Sequence, residues 1–108
     1  MTTFDKREEA FEQKFAHDEE IAFRARMRRN KLVGLWAAEK LGLAGADAQA
    51  YAGDVVAAGL DPPGIDDAVP SKLRMDFDAK GIIQSNHQIR RTMEELMAKA
   101  LADIKAGN

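Results

Sequence analysis

The sequence predicts an all-α protein: a four-helix domain preceded by a mobile or partly helical N-terminal segment. Three observations carry that prediction. No stretch alternates apolar and polar residues over a run of β-branched or aromatic side chains, so no strand is expected. From about residue 5 to Leu41 there is no proline, and Gly34 is the only glycine. Near the C-terminus, Ile89, Met93, Leu96, Met97, Ala100, Leu101 and Ile104 form one apolar stripe at helical spacing.

The first helix is expected from Asp5, as its cap, to Leu41, where "GLAG" (Gly42 to Gly45) ends it in a tight helix–helix connection. A second helix fits Asp47 to about Ala58, with Tyr51 and Val55 on one face and Gly53 weakening it by up to ~1 kcal/mol. "GLDPPGIDDAVP" (Gly59 to Pro70) reads as a loop, because paired prolines and flanking glycines cannot continue a helix. A short third helix is expected over Pro70 to Ala79, with Val69, Leu73 and Phe77 repeating every four residues before Gly81. Ser85 and Gln88 have the spacing of a capping box and start the fourth. Its solvent face is expected to carry Arg90, Arg91, Glu94, Glu95, Lys99 and Asp103. The expected core joins the C-terminal stripe to Leu32, Leu35, Trp36, Leu41, Tyr51, Val55, Leu73 and Phe77.

With 108 residues the chain holds one small domain. Alanine makes up much of the hydrophobic content, so the core should be thin and built by close helix packing. Cysteine is absent, which excludes disulfides, thiol catalysis and cysteine-ligated metal. No apolar run reaches the length of a membrane span, and no signal-peptide region opens the chain, so a cytoplasmic protein without direct membrane insertion is expected.

Four of the five phenylalanines lie in the charged stretch "FDKREEAFEQKFAHDEEIAF" (Phe4 to Phe23). At about 100° per residue, Phe4, Phe11, Phe15 and Ala22 fall within about 20° of one line on a helix, whereas Phe23 points elsewhere. A domain formed by residues 21–108 can fold without residues 1–20, so this stripe is free to meet a partner groove. Burying three rings contributes ~1.5–3 kcal/mol each. Ordering the segment opposes this at ~1–2 kcal/mol per residue. The segment alone should therefore bind weakly, and better when tethered to an anchoring domain. The bland alternative is that the stripe folds back on its own domain.

The run "FRARMRRNK" (Phe23 to Lys31) holds Arg24, Arg26, Arg28, Arg29 and Lys31. A helix spreads these around its circumference, so a solvated or salt-bridged face is the favoured reading. Arg24, Arg28 and Arg29 are the candidate docking surface for an acidic protein. A nucleotide- or nucleic-acid-binding module using Arg24 to Lys31 is the alternative, but no aromatic platform or recognition motif accompanies the run. His17 and His87 do not assemble a metal site, and neither Ser71 nor Ser85 has an adjacent base. No catalytic constellation, cofactor or metal is expected, and the chain is not read as an enzyme.

The stretch "FDKREEAFEQKFAHDEEIAFRARMRRNKLVGLWAAEKLGL", together with "YAGDVV", "DFDAKG" and "HQIRRTMEEL", resembles the zeta-subunit family of alphaproteobacterial F-type ATP synthases. The resemblance is weakest over Gly59 to Arg74. It implies a four-helix inhibitor of ATP hydrolysis, monomeric when free and peripheral on the inner-membrane synthase. Its N-terminal segment would enter an interface between alpha and beta subunits near gamma, blocking hydrolytic rotation in one direction. Phe4, Phe11 and Phe15 would then fill the groove, with Lys6, Arg7, Glu8, Glu9, Glu12 and Lys14 setting register. A non-inhibitory adaptor on the synthase is the remaining alternative.

Overall fold

A computed structural model describes residues 3–60 and 67–107, with side chains placed from residue 17 onward. The helices are α1 (Thr3–Lys40), α2 (Gly45–Leu60), α3 (Ala68–Ala79) and α4 (Asn86–Lys105), and no strand occurs among the described residues. α1 is the spine, packing against both α2 and α4, while α3 touches α2 and α4. At ~1.5 Å per residue, the 38 residues of α1 reach roughly 57 Å. That accounts for most of the longest molecular dimension, 64 Å.

Two of the expected stops form as read. After α1, Gly42 takes a left-handed φ of +82°, Leu43 N–H donates to Ala38 O at 2.8 Å and Gly42 N–H to Glu39 O at 3.1 Å. This paired arrangement satisfies the orphan carbonyls of the last turn. After α3 the same bonds recur from Ile82 to Phe77 and from Gly81 to Asp78. At the start of α4, Ser85 Oγ accepts from Gln88 N–H at 3.0 Å. Only that half of the capping box forms, because the Gln88 side chain turns instead to Thr92 Oγ1 at 3.5 Å.

The starts of the other three helices are corrected. α1 begins at Thr3, so Asp5 stands inside its first turn instead of capping it. α2 begins at Gly45, two residues before Asp47, and runs on through Gly59 to Leu60. Gly59 packs tightly within this last turn, since a Cβ there would collide with the side chain of buried Asn30. α3 begins at Ala68, which places Pro70 third in the helix. Proline is tolerated there because the first N–H groups of a helix have no intrahelical partner. The remainder of the expected loop, residues 61–66, lies outside the described residues.

The core joins Val33 and Ala37 of α1 to Val55, Val69, Leu73, Phe77, Ile89 and Met93, with Trp36, Leu41, Tyr51, Ile82 and Leu96 packed against it. The Trp36 and Phe77 rings meet edge to face at 5.9 Å. Leu32 and Leu35, expected at the centre, are only half-buried. The expectation favoured large apolar residues, but a helix gripped on two sides buries its small ones at the points of closest approach. Ala25, Ala37, Ala38, Ala52 and Ala100 are all fully buried. Asp103 also departs from its assignment to the solvent face of α4. It lies at the α1 boundary and accepts from Arg28 Nε at 3.2 Å.

Gly34 marks the closest approach of a described glycine to the backbone of another helix. A Cβ at that position would stand 2.7 Å from Ala52 Cα, a backbone atom of α2 that cannot move aside alone. Gly53, one residue further along α2, faces open space. Between α2 and α3, Tyr51 donates its hydroxyl to Asp76 Oδ2 at 2.7 Å, and Lys72 Nζ reaches the same oxygen at 3.1 Å. Lys72 also sits over the Tyr51 ring at 5.2 Å. Burial pushes the Tyr51 phenol above its ordinary range, aided by the hydrogen bond to Asp76 and the charges of Asp76 and Asp54.

Two measurements check this packing. Gly34→Ala should lower the urea midpoint despite alanine's better helix propensity, because separating α1 from α2 costs ~1–3 kcal/mol. Gly53→Ala should raise it by up to ~1 kcal/mol, since its methyl meets nothing. Tyr51 is the only tyrosine, so phenolate absorbance reads it alone. The folded state holds the phenol protonated where the unfolded chain releases it, so this contribution to stability is complete below pH ~10 and falls as pH rises further. Asp76→Asn should move the phenolate transition down toward that ordinary value, and Tyr51→Phe should cost about 1 kcal/mol while removing the transition.

Candidate functional site

Burial along the described part of α1 changes within one turn. His17, Asp18, Glu19 and Glu20 are all exposed. Four successive residues point around nearly the whole circumference of a helix, so no described element packs on this turn. Burial begins immediately afterwards. Ile21 and Ala22 are half-buried, and Ala25 is 0% exposed. The end of α4 holds this root, through the Arg28–Asp103 ion pair, with Lys99 meeting Asp103 from its own helix at 3.3 Å. The change falls at residues 20–21, inside an unbroken helix.

Phe4, Lys6, Arg7, Glu8, Glu9, Phe11, Glu12, Lys14 and Phe15 all precede that bare turn on α1. Their side chains lie outside the described residues. The helical backbone from Thr3 onward is the geometry on which the periodicity of Phe4, Phe11 and Phe15 depends.

The basic run divides into two sets. Arg24, Arg26 and Lys31 are exposed. Arg28 is engaged with Asp103, and Arg29 directs Nε and Nη2 onto Asn30 Oδ1 at 3.0 and 2.9 Å. Arg29 also lines an open groove with Pro70, Arg90, Met93, Glu94 and Met97. Among the three docking candidates, only Arg24 is fully presented to solvent, while Arg28 and Arg29 are half-buried. Asn30, 4% exposed, was not anticipated as a buried residue, because an asparagine amid arginines carries no sequence signal of burial.

Among the described residues, no group of three His, Asp or Glu side chains converges as a metal site would require. None of the described helices is long and apolar enough to cross a membrane.

The chain matches a family model described as ATPase inhibitor subunit zeta over residues 1–103. Among solved structures, a protein determined by solution NMR superposes with a TM-score of 0.66 at 42% identity, covering 80% of this chain and 96% of its own. No protein of curated function matches the sequence. The family match spans the whole of α1 as well as the helices packed behind it, and on that coverage the chain belongs to the ATPase inhibitor subunit zeta family.

Proposed function

We propose that this protein inhibits ATP hydrolysis by the F-type ATP synthase, with residues 1–20 as the inhibitory segment and residues 21–108 as its anchor. The segment inserts as a helix at an interface between alpha and beta subunits, near gamma. Hydrolytic rotation draws it in and synthetic rotation expels it, so the block acts in one direction. The protein works by occupying space and performs no chemistry of its own.

The observation that carries this reading is the bare turn at residues 17–20 within a continuous α1. A buried root followed by a naked turn marks where the packed body ends, as an anchored segment that orders in a partner's groove requires. Membership of an inhibitor family supports the target, and the Phe4–Phe11–Phe15 line supports the groove-filling role. Anchoring raises the effective concentration of the segment at its groove, offsetting the entropy of ordering it there. Lys6, Arg7, Glu8, Glu9, Glu12 and Lys14 set register and specificity more than affinity.

Replacing Phe4, Phe11 and Phe15 together by alanine should abolish inhibition of the synthase. Each ring contributes roughly 1.5–3 kcal/mol when buried, so losing three exceeds what the remaining contacts can supply. The thermal transition of the body should not move. Inhibition that survives the triple replacement would count directly against the groove-filling role.

A further inference from the structure

Helical spacing ties the phenylalanine line to one side of the packed body. At about 100° per residue, positions 4, 11, 15, 22, 29 and 33 of α1 fall within about 20° of a single line. On that line Val33 is fully buried in the core, while Arg29 and Ala22 are half-buried. At Arg29 it borders the open groove also lined by Pro70 of α3 and by Arg90, Met93, Glu94 and Met97 of α4. Those four α4 residues share one face at helical spacing, and Leu101 and Ile104 continue their row. The row runs toward the root of α1, where Asp103 meets Arg28. Met97, Leu101 and Ile104 are each only half-buried, and α4 ends at Lys105. An incompletely covered apolar strip thus leads along α4 from the groove toward the end of the body from which the phenylalanine line departs.

We infer that this strip, Met97, Leu101 and Ile104 with Arg29 across the groove, is the body's docking surface, and that its occupant is an apolar ridge of the synthase. That ridge is the wall covering Phe4, Phe11 and Phe15, continued past residue 20, so the inference rests on the reading above. Continuity fixes the side. A wall lying along the phenylalanine line, followed toward the C-terminus, passes Ala22 and meets the side of α1 that α4 flanks. α2 packs elsewhere, through Gly34, about 120° around α1 from the line. The lining fixes the chemistry. Both signs of charge border the groove, and Arg90 already pairs with Asp67 at 3.3 Å, so what remains open along the strip is thioether and aliphatic surface. Methionine moulds itself to irregular apolar partners.

The test binds the full-length chain to the intact ATP synthase, reads hydrolysis, and oxidises the complex briefly with hydrogen peroxide, which converts accessible methionine to the sulfoxide. Met27 is the internal control, half-buried like Met97 but about 140° around α1 from the line. Binding should slow oxidation of Met97 several-fold and leave Met27 at its free rate. Met97→Lys, which sets a charge against the ridge, should weaken binding at least ~10-fold with full inhibition still reached at saturation, whereas Met27→Lys should bind as wild type. The footprint uses the unaltered chain, so it decides even where a variant fails to fold. An inhibiting chain whose Met97 stays fully reactive, or whose Met27 is protected, would overturn the docking surface and leave the inhibitor reading standing. Met97 protected on a synthase that still hydrolyses ATP at its full rate would keep the surface and remove the inhibitor reading. No binding at all would remove both.

Discussion

The approach of α1 to α2 at Gly34 and Ala52 sets the position of the other elements. With a Cβ excluded at Gly34, the two backbones come close enough for Val33, Ala37 and Val55 to share one layer. α3 then finishes that layer with Leu73 and Phe77, and the Tyr51–Asp76–Lys72 contact ties it to α2. α4 closes on the free side of α1 through Ile89, Met93 and Ala100. A small chain with few large side chains gains stability chiefly by such close contact, because dispersion and burial both fall away as helices separate.

The same constraint shapes function. Only the C-terminal part of α1 is needed to build the layer, and the described burial begins at Ile21. The exposed residues 17–20 precede that packed part within the same helix. The proposed inhibition by insertion needs two things at once: a segment that reaches a groove, and a folded body that keeps it near.

Much of the fold was legible in the sequence, and the exceptions share a cause. Punctuation by Gly42, Gly81 and Ser85 marked the elements because those residues act locally, through φ preference and capping. The buried face of α1 was misjudged toward Leu32 and Leu35, because periodicity rewards large apolar residues while close helix crossings bury small ones. Asp103 and Asn30 were hidden for a related reason: their burial depends on what lies across a tertiary contact. The candidate site was legible as a phenylalanine line in a charged segment. Its target was not, since the groove it fits belongs to another protein. Family resemblance supplied the synthase, and the family match supports it.

The central claim is that one helix divides its work at residues 20–21 between a plug and an anchor. It is tested most directly by deleting residues 1–19 and measuring ATP hydrolysis by the synthase, with circular dichroism and thermal unfolding of the shortened chain. The account predicts a cooperatively folded body that no longer inhibits. A shortened chain that inhibits as well as the full-length protein would place the activity in the packed helices and contradict the account.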